Sequence, residues 1–327
     1  MALGTNHLTD SFVGGTVKSN SVFIPELWSD ETIAAYKAAL VVANRVNTMA
    51  FQGKKGDSIH IPKPTRGTAS AKAAQTQVTL NRPAESAVII TIDKHFEYSF
   101  LIEDFASVQA LDSLRKFYTD DSGYALAKQV DSHLMGSGAA FQGGTYTGAD
   151  NPDTESWNMA VIAGDGSTVY DPTANVNVGN GSVITDVGIR QMIQTLDDTD
   201  TPMDNRAVII PPVTKSNLLG IARFTEQAFV GDAGAANSIR TGRVGNIYGN
   251  EVYITTNCPT ITATDGVTKY RVGLYMHKDA TTLVEQMNIR SQIQYKQEWL
   301  STLYTADTIY GVNSVRTDSG VAFVVPV

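Results

Sequence analysis

The spacing of apolar and polar residues predicts many short strands and few helices. Alternation with a period of two is typical of strands, and it occupies residues 58–62, 77–80 and 86–92 and continues through Phe96, Tyr98 and Phe100. Between the first two of these stretches, residues 63–74 are polar, small and irregular. The pattern therefore predicts a long two-stranded excursion with a loose tip.

Two helical patterns lie on either side of this excursion. Ser29 is an N-cap candidate followed by two acidic residues, and apolar positions at helical spacing continue to about residue 48. A longer pattern from about residue 107 to 135 would form a helix of roughly 40 Å, with one apolar stripe and an opposite face carrying Asp112, Asp120, Asp121 and Asp131. Gly123, near its middle, predicts a weak point or bend.

The second half of the chain predicts a loop-rich segment and then an α/β unit. Residues 137–182 are rich in Gly, Asn, Thr and Asp, and no Lys or Arg occurs between Lys128 and Arg190, so we expect an inserted surface region. Helices near 185–197 and 214–221 then flank a buried strand at 206–210, with another strand at 251–256. The final strands are expected at 270–276, 282–285, 307–315 and 320–325. The fold class is α+β.

Residues 1–28 contain Gly, Ser, Thr and Asn without apolar periodicity and end in an apolar cluster that includes Phe23 and Trp28. We interpret them as an extended arm that lies across a partner. The start of the chain lacks a basic region followed by an apolar run, so no signal peptide is expected. Aliphatic runs such as 38–43 fall far short of the ~20 residues that span a bilayer.

Composition and charge narrow the function. The chain of 327 residues is 42% apolar and only 18% charged, with a formal net charge of −8. A global negative charge argues against tight binding of nucleic acid but permits enclosing it. The single cysteine, Cys258, excludes an intrachain disulfide, as expected for a protein made in a reducing cytoplasm.

The predicted ribbon is basic in an otherwise acidic chain. Six basic residues against the single acid Asp57 give residues 53–82 a net charge of +5, and the six are Lys54, Lys55, Lys63, Arg66, Lys72 and Arg82. A solvated loop is one interpretation, and a nucleic-acid patch is another, although interleaved aromatic residues are missing. The third, which we favour, is an arm attracted to an acidic surface of the next subunit. In a monomeric enzyme such a ribbon would be a lid.

No catalytic, metal or cofactor motif is present in the sequence. The glycine spacing of residues 242–249 fits neither a P-loop nor a dinucleotide fingerprint, and these glycines precede a strand rather than a helix. The five histidines show none of the spacings of zinc ligands. Residues 197–200 lack the glycine and distal glutamate of a calcium loop, and we interpret them as a solvated helix end. We expect neither an enzyme nor a cofactor.

The order of these elements resembles the major capsid proteins of tailed bacteriophages, the Hong Kong 97-type fold. The residues that carry the resemblance are Phe23–Trp28 before the first helix, Val208–Pro212 with Leu218 and Leu219, Gly245–Val252 with Thr255–Asn257, His277–Ala280 and Tyr310–Val312. The resemblance implies an N-terminal arm (1–28), a first helix (29–52), an E-loop with an adjoining P-domain strand (53–100), a spine helix of the P-domain (101–136), an insertion (137–182), an A-domain (183–275) and returning C-terminal strands (276–327).

The resemblance also implies the function and the partners. Copies of the chain would form hexamers and pentamers that build an icosahedral head around a double-stranded DNA genome, contacting the DNA weakly and no membrane. A separate scaffolding protein and a portal protein are expected, with assembly in the host bacterial cytoplasm and a final location in the virion. The alternatives are an encapsulin-type compartment shell and a hydrolase with a β-ribbon lid. Subunit contacts are expected at Phe23, Trp28 and the six basic residues of the ribbon.

Overall fold

The computed structural model describes residues 40–50, 56–64, 67, 69–78, 80, 85–104, 112–141, 157, 160–171, 182–221, 246–263 and 266–327. Within these residues the helices are α1 (Asp112–Ser137), α2 (Asp186–Asp198) and α3 (Pro212–Leu219). The strands are β1 (Asn47–Ala50), β2 (Ser58–Pro64), β3 (Glu85–Thr91), β4 (Lys94–Glu103), β5 (Val161–Ile162), β6 (Arg206–Ile210), β7 (Asn246–Ile247), β8 (Asn250–Ile254), β9 (Thr260–Thr262), β10 (Lys269–His277), β11 (Thr281–Lys296), β12 (Ser301–Ser314) and β13 (Gly320–Pro326). The expected α+β class is confirmed.

Seven strands form the larger sheet, in the order β5-β13-β10-β6-β8-β7, with β9 also paired to β10. Its central strands are buried on both faces, as continuous apolar runs such as β13 predict. On one face, Ala322 and Val324 pack in a cluster with Leu134 and Met135 of α1. On the other face, a second cluster joins Val321, Phe323 and Val325 to Ile189, Met192 and Leu196 of α2. The chain therefore covers this sheet by itself.

Helix α2 begins where its sequence predicts. The hydroxyl of Thr185 accepts a hydrogen bond from the backbone N–H of Gly188, at 3.1 Å, and caps the first turn. Apolar residues at helical spacing then face the sheet, and the exposed side carries Arg190, which pairs with Asp186 one turn earlier at 3.1 Å.

The smaller sheet has four strands in the order β1-β11-β12-β4. Strand β4 alternates between half-buried and exposed residues over its ten positions, and its inward residues Phe96, Tyr98 and Phe100 pack against Leu126 of α1 and Tyr304 of β12. The ring centroids of Phe100 and Tyr304 are 4.9 Å apart. The sheet thus lies along the long helix, and β2 and β3 form a separate two-stranded ribbon beside it.

Several expectations from the sequence are wrong. The first helix does not continue to residue 48: residues 43–45 form a single 3₁₀ turn, and β1 follows because it pairs in parallel with Thr282–Glu285. Residues 77, 78 and 80 are exposed and have no strand structure, and none of the described strands pairs with them. Helix α1 continues through Gly123 without interruption. The part of the first helix before residue 40 lies outside the described residues.

The segment 137–182 is not a surface region where the structure describes it. Trp157 and Tyr170 are buried in the main core, and β5 adds a parallel edge strand to the seven-stranded sheet. The mostly polar composition of this segment did not indicate that these few apolar residues are buried. The last strands are also longer than expected, because β11 and β12 form one hairpin that includes residues 286–306.

No helix in the described ranges is both long enough and apolar enough to span a bilayer.

Candidate interaction surfaces

The ribbon is attached to the four-stranded sheet at its root. The amide of Asn313 donates to the carbonyl of Ile89 at 2.8 Å, and the amide of Gln286 donates to the carbonyl of Gly56 at 3.0 Å. Gly311 lies directly beneath the ribbon, and a Cβ there would stand 2.5 Å from the carbonyl oxygen of Thr91. The root therefore has a close, backbone-to-backbone fit.

Beyond the root, the ribbon leaves the body of the subunit. One face pairs Ile59 with Ile90 and Ile61 with Val88; Ile90 is buried at the root, whereas the other three are only half-buried. Every described residue from 67 to 80 is exposed, including Val78 at 63% and Leu80 at 87%. A two-stranded ribbon with one apolar face is marginal in water, so this surface needs a cover that the chain does not supply within the described residues.

Of the expected contact residues, the structure places Lys63 and Lys72 on this ribbon, and both are exposed. Lys63 lies in β2, opposite Ser86. Phe23, Trp28, Lys54, Lys55, Arg66 and Arg82 lie outside the described residues.

A second exposed apolar surface lies at the far end of the β11–β12 hairpin. We call it the distal tip and define it as residues 293–303 with residues 101–104 of the adjoining β4. Its large side chains are exposed by about half: Leu101 at 47%, Ile293 at 56%, Tyr295 at 48%, Trp299 at 51% and Leu300 at 67%. The strand register places Ile293 and Tyr295 on one face of the sheet and Leu101 on the other, so the exposed apolar residues surround the end of the hairpin and do not form one continuous patch.

Leu300 makes the distal tip unusual in its backbone as well. It closes the turn with φ 42° and ψ 50°, in the left-handed region. Side chains with a Cβ pay about 1 kcal/mol or more to adopt this conformation, which glycine and asparagine tolerate better. The turn thus retains an exposed leucine where stability alone would favour a different residue.

An ion pair joins the two strands of the hairpin at the base of the distal tip. Arg290 of β11 donates two hydrogen bonds to Asp307 of β12, at 3.1 and 2.7 Å, and the His95 ring lies 3.3 Å from the same carboxylate. The hydrogen bond from Arg290 is the main cause that lowers the pKa of Asp307 below its ordinary value. At the tip itself, Tyr295 donates to Asp104 at 2.6 Å, and this bond raises the pKa of Tyr295.

A buried carboxylate joins three parts of the chain. Asp131 of α1 is 1% exposed and accepts hydrogen bonds from the backbone N–H groups of Val42 and Ala43, at 2.9 and 3.3 Å, and from the Asn257 amide at 3.2 Å. The expectation that Asp131 lies on the exposed face of the helix is therefore wrong. Burial raises its pKa, and the hydrogen bonds partly oppose that shift.

Arg206, at the start of β6, is a second buried ionic centre. Its guanidinium lies 2.7 Å from Asp197 and donates to the carbonyls of Thr201 and Pro202, at 2.6 and 2.8 Å. Asp197 is thus more than part of a solvated helix end, because it anchors α2 to the seven-stranded sheet.

Metal-ligating side chains and the cysteine are the groups in the described part of the chain whose arrangement bears on chemistry. No group of three or more potential metal-ligating side chains occurs there. Burial raises the pKa of the Cys258 thiol to about 12, so this cysteine is a packing residue and not a nucleophile.

Sequence reasoning missed two features, of which only the first has an identifiable signal. The apolar residues 287, 289, 293 and 295 alternate with polar neighbours, which is a strand signal for the distal half of β11. No sequence signal distinguishes Asp131, which is buried, from Asp120, which is exposed; only the tertiary contacts identify it.

Comparison with known proteins places the whole chain in one structural group. No family model and no curated protein matches the sequence. Among solved structures, it is similar to one from Mycobacterium phage Che8, with 25% identity and a TM-score of 0.69 over 93% of this chain and 97% of that one. It is also similar to the capsid structure of Cyanophage P-SCSP1u, with 18% identity and a TM-score of 0.69 over 92% of each chain. The capsid of Ralstonia phage GP4 matches at 13% identity and a TM-score of 0.66, over 96% of this chain and 98% of that one.

Proposed function

We propose that this chain, which has the fold of the tailed-phage major capsid proteins, is the subunit that assembles into the icosahedral head of a phage and encloses its double-stranded DNA. The observation that carries the proposal is the match along almost the full length of both chains to phage capsid structures. A match of this extent leaves little of the chain for a different activity.

The exposed surfaces support a protein completed by its neighbours. The ribbon projects an apolar face and basic residues away from the body, and the distal tip exposes five large apolar residues. On a monomer such exposed apolar surfaces promote aggregation, whereas in a closed shell each would be covered by the next copy. We assign the ribbon as the E-loop, α1 with the four-stranded sheet as the P-domain, and the seven-stranded sheet with α2 and α3 as the A-domain.

The proposed assembly follows from these assignments. A-domains surround the axes of hexamers and pentamers, while E-loops and N-terminal arms overlap adjacent subunits. A separate scaffolding protein directs assembly in the bacterial cytoplasm, and a portal protein occupies one vertex. The net charge of −8 suits a shell that encloses DNA and contacts it weakly. The subunit is structural and performs no catalysis.

Neither rival function is supported by a specific observation. A hydrolase with a ribbon lid would need a nucleophile or metal set beneath the ribbon, where the structure has instead the close backbone contact at Gly311. An encapsulin-type compartment would share the fold, but the similar structures named above come from phages.

Expression of the chain with its scaffolding and portal proteins tests the proposal. We expect closed shells in electron micrographs and a fast-sedimenting species in a sucrose gradient. Recovery of monomers alone under these conditions would contradict the assignment.

Charge reversal tests the role of the ribbon. Lys63→Glu together with Lys72→Glu should lower the yield of shells, because the ribbon then carries less of the positive charge that attracts an acidic neighbour. The matched control reverses Lys215 and Lys269, on the α/β half of the molecule. An equal yield from the ribbon variant and the wild-type protein would refute the electrostatic role.

A further inference from the structure

We propose that residues 42–47, which we call the arm junction, fix where the N-terminal arm joins the body of the subunit, and that Asp131 and Arg45 position this junction. The inference rests on the proposed function and adds to it the residues that hold the start of the arm in place. The arm lies before residue 40, outside the described residues, and the ribbon begins at Ser58 on the other side of the junction. The junction therefore lies between two segments that are expected to contact neighbouring copies.

The first contact of the arm junction is a helix cap supplied by a distant residue. Residues 43–45 form a 3₁₀ turn whose N-cap is Val42, a residue whose side chain makes no capping hydrogen bond. The carboxylate of Asp131 instead accepts the backbone N–H groups of Val42 and Ala43, at 2.9 and 3.3 Å. A local Ser, Thr or Asp would satisfy such groups as well, but only a distant carboxylate also joins the turn to α1.

Asp131 joins the arm junction to the seven-stranded half of the subunit as well. Its other carboxylate oxygen accepts from the amide of Asn257 at 3.2 Å, and Asn257 lies in the turn that follows β8. Among the described residues no cation pairs with Asp131, so its burial has a desolvation cost that a neutral acceptor would avoid. Its retention is explained by the stronger hydrogen bonds that an ionised acceptor makes, which hold three segments at one point.

The second contact joins Arg45 to β8. Its guanidinium lies 2.9 Å from the carboxylate of Glu251 and over the ring of Tyr253, 4.3 Å from the ring centroid. The hydroxyl of Tyr253 donates to the same carboxylate. A planar guanidinium matches this combination of ring and carboxylate in a way that the ammonium of lysine does not. Because the side chains of Arg45 and Glu251 are 40% and 51% exposed, this contact adds little to the stability of the monomer.

The third contact fixes the end of the arm junction on the four-stranded sheet. The backbone N–H of Asn47 donates to the carbonyl of Lys278 at 3.1 Å, and β1 then pairs with β11. Contacts to α1, to β8 and to β11 thus act on six consecutive residues. They fix the position and direction of the backbone at residue 42, so the arm starts from the same place in every copy. Such preorganisation lowers the entropy cost of docking the arm on a neighbour.

Hydrogen exchange in the monomer tests the contact of Arg45. Arg45→Gln should speed the exchange of the backbone amides of residues 42–46 several-fold, while the unfolding midpoint stays at the wild-type value. The matched control is Arg190→Gln, which removes the same charge from an ion pair on α2 with an arginine side chain that is 53% exposed. This control should leave exchange in the arm junction unchanged. Wild-type exchange in Arg45→Gln would overturn the proposal whether or not shells form.

A double-mutant cycle tests whether the arm junction acts through the arm. Arg45→Gln and Trp28→Ala, at a residue of the arm expected to contact a neighbour, should each raise several-fold the protein concentration at which shells form. The double variant should need no higher concentration than the more severe single variant, because both changes affect the same contact. Arg190→Gln should assemble like the wild-type protein. Effects that multiply would show that Arg45 acts independently of the arm and would overturn the proposal, as would wild-type assembly of either single variant.

The outcomes distinguish this inference from the proposed function. Shells that form normally while the effects of Arg45→Gln and Trp28→Ala multiply would leave the capsid assignment intact and refute the positioning of the arm. A wild-type protein that forms no shells would contradict the capsid assignment, and the exchange measurement would then decide by itself whether Arg45 holds the arm junction.

Discussion

The seven-stranded sheet is covered on both faces by its own chain, whereas the four-stranded sheet is covered by α1 and the root of the ribbon and is exposed at the distal tip, as far as the structure describes the chain. Phe323, in the first, is completely buried, and Trp299, at the distal tip of the second, is 51% exposed. Both are large aromatic residues in or beside long strands, so their residue type does not separate them. The difference lies in what packs against each sheet. Helices α1 and α2 pack against the two faces of the seven-stranded sheet, whereas no described part of the chain covers Trp299 at the distal tip. The chain thus covers the seven-stranded sheet itself and leaves apolar residues exposed at the distal tip, which neighbouring copies would cover in the proposed assembly.

The strongest test of this comparison removes an aromatic ring from each sheet. Phe323→Ala should lower the free energy of unfolding by about 3–5 kcal/mol, because it leaves a cavity between two packed layers. Trp299→Ala should change it by less than about 0.5 kcal/mol, as is usual at exposed positions. Urea denaturation of the monomer measures both. A comparable loss of unfolding free energy in the two variants would contradict this difference between the sheets.

The second test concerns the carboxylate that joins the two halves. Asp131→Ala should cost about 2–4 kcal/mol, since the buried N–H groups of Val42 and Ala43 and the amide of Asn257 lose their acceptor. Asp131→Asn is the control, because it keeps one oxygen at the same place and should cost about 1 kcal/mol. Thermal and chemical denaturation measure both variants. Because asparagine has nearly the volume of aspartate, equal losses would contradict the prediction that an acceptor oxygen at this place stabilises the fold.

The smallest expected effect is a dependence on pH. The pKa of Asp131 is raised above its ordinary 3.8, chiefly by burial, so the folded protein binds this proton more tightly than the unfolded chain. The stability that proton contributes is fully present below about pH 3.8 and is lost as the pH rises through the raised pKa. The difference in unfolding free energy between the wild-type protein and Asp131→Asn should therefore decline over that interval and then level off. A difference that grows with pH would contradict the direction of the shift.

The sequence predicted the elements whose signals are local. Helix α2 has a threonine cap and amphipathic spacing, and β6 and β13 are apolar runs bounded by turns, so their positions agree with expectation within a few residues. The ribbon was predicted from alternation and confirmed as β2 and β3. Order along the chain then indicated the capsid fold.

What the sequence could not predict depends on distant partners. Residues 47–50 form a strand only because β11 lies beside them, which overrides a helical period in the preceding residues. The burial of Asp131 likewise results from a backbone segment 89 residues away. The candidate surfaces fall between these cases: the positive charge of the ribbon is visible in the sequence, but the distal tip is assembled from two separate stretches of chain.

The parallel pairing of β1 with β11 has a consequence for synthesis. Asn47 pairs with Thr282, and the root of the ribbon depends on a hydrogen bond between residues 230 positions apart. A growing chain cannot complete the four-stranded sheet until most of the protein has left the ribosome, and contacts of such long range form slowly. A subunit interrupted before residue 282 would lack the strand that orients both the ribbon and the distal tip. Truncated products would therefore lack the surfaces with which to enter a growing assembly, and the topology itself would act as a check on completeness.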